Sequence, residues 1–123
     1  MQESDRIRLQ HMLDAAREAM AFAQGKSRAD LETDRMLALS LVKTVEIIGE
    51  AARRVSHGVR AAAPEIPWDD IISLRNRLIH AYYNVDLDVL WETLSEDLQP
   101  LIAALERVLP AGPAQSSSGK SKP

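Results

Sequence analysis

Arg75, Asn76 and His80 stand in one short run, Arg75-Asn76-Arg77-Leu78-Ile79-His80, with Ala81-Tyr82-Tyr83 following at once. Side chains of these types suit displacement at phosphorus. A guanidinium keeps its charge and offers a planar fork of donors to nonbridging phosphate oxygens. An imidazole titrates near neutrality, so one copy can take a proton from a nucleophile while a second returns one to a leaving oxygen. The Asn76 amide can orient either group. Such a displacement needs a base, an acid and a positive charge on the phosphorane.

Plainer roles compete with each assignment. Arg75 can be a structural ion pair with Glu46 or Glu50 as partner, because charges on inward faces are usually paired. His80 can be a satisfied core or capping histidine, and Tyr82 and Tyr83 can be packing residues with one end wet. Glu46 and Glu50, one turn apart, could hold a cation. The facing Glu-x-x-His pairs of a di-metal bundle do not occur, and neither do a phosphate-binding glycine loop, a zinc signature or a nucleophile elbow. Arg53, Arg54, His57 and Arg60 make a local basic patch, read as a solvated face rather than an RNA track. The joint spacing of the motif, rather than any residue alone, favours chemistry.

A helix opened by Pro67, with Asp69 and Asp70 at its positive end, is expected to carry the run to about Tyr83. On that helix Trp68, Ile71, Ile72, Leu78, Ile79 and Tyr82 form an apolar stripe with Arg75 near its centre. Arginine there must meet a carboxylate, a wet cleft or a subunit junction. Asn76 and His80 would share a flank, whereas Arg75 and His80 would diverge by about 140° at 100° per residue. A two-fold homodimer would bring together what one copy separates.

The positioning elements are all helical by period. Leu9, Met12, Leu13, Ala16, Met20 and Ala23 mark a first helix ending near Gly25. Ser27 with Asp30, then Thr33-Asp34, give start signals for the next. Leu37, Leu41, Val45, Ile48, Ala52 and Val55 hold phase through what should be the longest helix, ended by Ser56-His57-Gly58. Gly49 inside it costs about 1 kcal/mol against alanine, which close approach of another backbone would explain. Pro64 and Pro67 bound a connection. After a break at Asn84, Asp86 can cap a last stripe of Leu87, Leu90, Trp91, Leu94, Leu98, Leu101, Ile102, Leu105 and Val108, kinked at Pro100. No period-2 strand pattern stands out. The expectation is all-α, an antiparallel bundle of four to five helices over 1–109, with 110–123 a disordered tail.

Fifteen Lys and Arg against 18 Asp and Glu give a net charge of -3, so any RNA contact must come from a local patch or from transient engagement. Cysteine is absent, which removes thiolate chemistry and disulfides. The polar start and the lack of a long apolar run point to a soluble, cytoplasmic protein with no membrane partner.

The Arg75-Asn76-x-x-x-His80 run with Tyr82 closely resembles the HEPN superfamily, specifically the HepT-like toxins. So do Glu46-Ile47-Ile48-Gly49-Glu50-Ala51-Ala52, Pro64-Glu65-Ile66-Pro67-Trp68, and Val85-Asp86-Leu87 through Trp91-Glu92-Thr93, in matching order. The resemblance implies a ribonuclease, the toxin half of a type VII toxin and antitoxin pair whose partner is a MntA-type minimal nucleotidyltransferase. It implies that Arg75 and His80 form the site at a homodimer cleft, that Asn76 helps order it, and that no cofactor is needed. It further implies Tyr82 as the adenylylated side chain, with Tyr83 the neighbouring alternative and Glu50 a supporting group. Two other functions are open to such a fold: a non-catalytic helical module that binds and regulates the nucleotidyltransferase, and a purely structural dimer in which Arg75 pairs with Glu50 and nothing is cleaved.

Overall fold

The computed structural model describes residues 1–81 and 84–110, the side chains of His80 and Ala81 excepted. Tyr82, Tyr83 and all of the expected 110–123 tail beyond Pro110 lie outside the described residues. Helices α1 (Glu3–Ala23), α2 (Arg28–Thr33), α3 (Arg35–Arg53), α4 (His57–Ala62) and α5 (Trp68–Leu78) come first. A two-stranded antiparallel pair follows, β1 (Ile79–Ala81) with β2 (Asn84–Val85). The chain closes with α6 (Leu87–Glu92), a π-helical turn (Thr93–Asp97) and α7 (Leu98–Val108). The architecture is the expected all-α bundle, with the small hairpin added.

The centre is α3, which packs against α1, α2, α5 and α6. Leu41, Val45 and Ile48 of α3 join Leu9, Met12 and Ala16 of α1, Leu74 and Leu78 of α5, and Leu98, Leu101 and Leu105 of the last course in one buried cluster. Helix directions follow from the contacts. Asp5 at the start of α1 meets Ser56 just beyond α3, so α1 and α3 are antiparallel. A methyl group at Gly49 would stand 3.3 Å from the Ile71 carbonyl oxygen, while Arg75 reaches Glu46, so α3 and α5 are antiparallel too. The glycine is therefore where α5 comes closest, as its position inside a long helix suggested.

Helix starts are well marked. Ser27 and Asp30 form a capping box, Asp34 accepts from the Leu37 amide, and Asp86 accepts from the Asp88 and Val89 amides. Several expectations are corrected. At 21 residues α1 is longer than α3 at 19. The long helix does end just before Ser56, at Arg53, but Ser56 also opens α4, its hydroxyl accepting from the Val59 amide. Pro67 precedes the first residue of α5 rather than being it. Around Pro100 the final stripe does run on as one course, and the accommodation is a π turn: Pro100 has no N–H for the preceding turn, and the Leu98 amide reaches five residues back to the Thr93 carbonyl.

The largest correction concerns the motif. Helix α5 stops at Leu78, and Ile79 to Ala81 is extended. The Leu78 carbonyl, which a continuing helix would bond to the amide four residues on, instead accepts from the Asp86 amide at 2.7 Å. Asp86 thus closes α5 with its backbone and caps α6 with its carboxylate. β-Branched Ile79 suits the extended backbone it adopts, φ -115° and ψ 105°, and it pairs with Val85.

Candidate active site

Arg75 and Asn76 sit in the last turn of α5, both exposed, and His80 sits in β1. The expected sharing of one helix flank by Asn76 and His80, and the 140° divergence of Arg75 from His80, do not apply once the helix ends between them. Nor is Arg75 the centre of the buried stripe. Trp68, Ile71, Leu74 and Leu78 point inward, and Arg75 lies on the flank with its side chain 58% exposed. Counting Ile79 as helical helped to rotate the inferred face.

Arg75 does have a carboxylate partner. Its Nε donates to Glu46 Oε2 at 2.8 Å, across from α5 to α3. Glu50, the other anticipated partner, accepts from Arg53 and Arg54 of its own helix. Those donors hold the Glu50 carboxyl below the usual carboxylate range, the Arg53 hydrogen bond most of all. The anticipated basic patch is thereby taken apart. Arg53 and Arg54 are paired with Glu50, and Arg60 donates to the Val55 and Arg53 carbonyls at the end of α3. Among the described residues no group of three or more His, Cys, Asp or Glu could hold a metal ion.

Three concavities border α5, and two of them are lined by an arginine of its last turn. A shallow groove of about 450 Å³ is lined by Arg8 and His11 of α1, Lys43, Glu46, Ile47 and Glu50 of α3, Arg54, and Arg75. Four cations there face two carboxylates, against the acidic balance of the whole chain. The second, more enclosed cavity of about 530 Å³ lies between α5 and the π turn. Arg77 is the one cation among its described lining residues, against Glu65, Asp70, Glu92, Glu96 and Asp97. Burial, then the Glu92 charge, push the Asp97 carboxyl above its ordinary range. A polyanion is repelled from that cavity, whereas the groove on the Arg75 side carries the cations that could meet one.

The family model for ribonuclease HepT-like proteins matches residues 12–108. The chain belongs to this family. It is 32% identical over 108 residues to a protein of Thermococcus cleftensis named a probable ribonuclease HepT, covering 88% of this chain and 98% of the relative. A protein of Methanocaldococcus jannaschii, provisionally named an RNase, is 30% identical over 100 residues, 81% of this chain and 92% of its own. One of Caldanaerobacter subterraneus subsp. tengcongensis, named in the same way, is 30% identical over 101 residues, 82% and 90% respectively. No solved structure matches. This HepT-like chain is thus a member of a ribonuclease family, and no helix among its described residues is long and apolar enough to cross a membrane.

Proposed function

We propose that this HepT-like chain is a metal-independent endoribonuclease toxin whose site is completed by a second copy of itself. The observation that carries the reading is Arg75. It is held by a carboxylate through Nε alone, stands in the exposed last turn of α5 within a cationic groove, and lies five residues before His80 in the adjoining strand. With Nε engaged, the two terminal nitrogens remain for nonbridging phosphate oxygens.

The reaction is an in-line transesterification. Neutral His80 takes the proton from the 2'-hydroxyl, the 2'-oxygen forms a bond to phosphorus, and the bond from phosphorus to the 5'-oxygen breaks. Protonated His80 of the second copy gives its proton to the departing 5'-oxygen, leaving a 2',3'-cyclic phosphate on one product and a 5'-hydroxyl on the other. Arg75 offsets the charge that builds on the nonbridging oxygens, and Asn76 beside it orients the reacting groups. One copy of the motif supplies one imidazole, whereas the reaction needs an acid and a base at once, and that need supports a homodimer. The exposed end of α5, Arg75 to Arg77, is free to meet the second copy.

A MntA-like nucleotidyltransferase antitoxin is the partner we assign: the Tyr82 hydroxyl, with Tyr83 as the alternative acceptor, takes AMP from ATP bound by that partner, and pyrophosphate leaves. An attached nucleotide phosphate would be drawn to Arg75 and take the place of RNA phosphate. The deciding experiment incubates purified protein with RNA and identifies the ends by mass spectrometry. Cyclic phosphate ends that vanish with His80→Ala support the reading. A folded wild-type protein that leaves RNA intact, yet binds the nucleotidyltransferase, would replace it with the non-catalytic regulatory module.

A further inference from the structure

The cationic groove extends well beyond Arg75, and its charges are unevenly satisfied. Glu46 is engaged by Arg75, and Glu50 by Arg53 and Arg54. Lys43 and Arg8, by contrast, have no carboxylate within ion-pair distance among the described residues, and Arg8 is half-buried. A partly desolvated guanidinium without an anion is costly unless something supplies one. Lys43, Glu46, Ile47, Glu50, Ala51 and Arg54 lie on one face of α3 by helical spacing, and Arg8 and His11 lie one turn apart on α1. The trough therefore runs along the α1 and α3 seam, with Ile47 and Ala51 as an apolar floor, cations on both walls and Arg75 on its α5 side. At about 450 Å³ this groove has room for a short stretch of one strand and not for a duplex.

We propose that this seam is the track for single-stranded RNA, with Arg8 and Lys43 as phosphate contacts that feed the strand to Arg75. The assignment rests on the ribonuclease reading above and adds to it residues outside the motif. Arg8 and Lys43 are positioning residues: they hold phosphates away from the scissile bond and take no part in proton transfer. The Ile47 side chain, 36% exposed, lies against ribose and base edges without reading sequence.

The test is the salt dependence of binding of a short, uncleavable 2'-O-methyl single strand to the full-length protein, followed by fluorescence anisotropy. For single strands each phosphate contact contributes about 0.7 to the slope of log affinity against log salt. Arg8→Gln and Lys43→Gln should each flatten the slope by about 0.7, and the double variant by about 1.4. On cleavable RNA the same variants should raise KM more than they lower kcat. Arg107→Gln, the same change of charge on α7 outside the groove, should alter neither quantity. Unchanged slopes in the groove variants, or an equal flattening by Arg107→Gln, would overturn the track while leaving the cleavage reading intact. A wild-type protein that binds with the expected variant slopes but never cuts would keep the track and sink the nuclease. If wild-type protein fails to bind the strand at low salt, both fall.

Discussion

Replacing Arg75 separates a structural from a chemical role, because its structural contribution can be bounded. The Arg75 and Glu46 pair has good geometry at 2.8 Å, but the arginine side chain is 58% exposed and the glutamate 29%. Pairs so wetted contribute about 0.2–1 kcal/mol, since water screens the attraction and two long side chains must be ordered. Arg75→Ala should thus lower the stability by no more than about 1 kcal/mol, a shift in Tm of a few degrees. Leu78→Ala, three residues on and fully buried, should cost about 2–5 kcal/mol. Cleavage should order the other way. Loss of a preorganised charge at the phosphorane removes about two to three powers of ten in rate. Arg75→Lys keeps the charge without the fork and should not restore it. Glu46→Ala, which releases the guanidinium and removes an anion from the groove, should keep cleavage and tighten RNA binding. Urea unfolding followed by circular dichroism, with single-turnover cleavage on the same preparations, gives both axes. An Arg75→Ala protein as unstable as Leu78→Ala, or one that cuts RNA at the wild-type rate, would refute the reasoning.

Other outcomes follow from particular contacts. Asp5, 6% exposed, accepts from the Ser56 amide and hydroxyl, and these bonds hold its carboxyl below the ordinary range. Its stabilisation is present above the unfolded value near 3.9 and is lost as pH falls through the lower folded value. Asp5→Ala should therefore melt earlier than wild type at pH 6 and converge with it in strong acid, as thermal scans across pH will show. Asp97 has the opposite sign. Its raised carboxyl means that ionisation opposes folding, so Asp97→Asn should melt later than wild type at neutral pH, with the gain fading as pH falls below the raised value. Gly49→Val should lose about 1–3 kcal/mol in urea unfolding by pushing Ile71 away, whereas Gly49→Ala sets a helix gain of about 1 kcal/mol against a 3.3 Å contact and should fall between. Cleavage should survive EDTA, since the 2'-hydroxyl route needs no metal; loss restored by magnesium would contradict it.

What the sequence made legible was local. The capping box at Ser27, the Asp86 cap, the stripe from Leu87 to Val108 and the close approach at Gly49 all rest on spacings of a few residues or on one residue's propensity. Pro100 announced an irregular turn, though not its π form. The hairpin was hidden because its deciding bond, from the Asp86 amide to the Leu78 carbonyl, competes with helix continuation from eight residues away. That single competition moved His80 off the helix. The Asp5 latch has no local signal, since its partner lies 51 residues further on. The groove was equally illegible: Arg8 and Lys43 are ordinary surface cations until α1 is laid antiparallel to α3. Glu46 was anticipated as a partner of Arg75 beside Glu50, and only the register of α5 on α3 chooses between them.

The first helix also shapes how the chain finds its fold. It is fastened twice, to Ser56 through Asp5 and to Glu106 through Arg17, so it belongs both to an early ring of the chain and to one spanning 89 residues. On a logarithmic closure law, widening the ring from 51 to 89 residues adds only about 0.5 kcal/mol of entropy loss. The late docking of α7 is therefore nearly as cheap as the early one, and α1 with α3 can form a nucleus before α7 arrives. In hydrogen exchange, the amides of α7 should open to solvent by partial unfolding events that leave the seam between α1 and α3 closed.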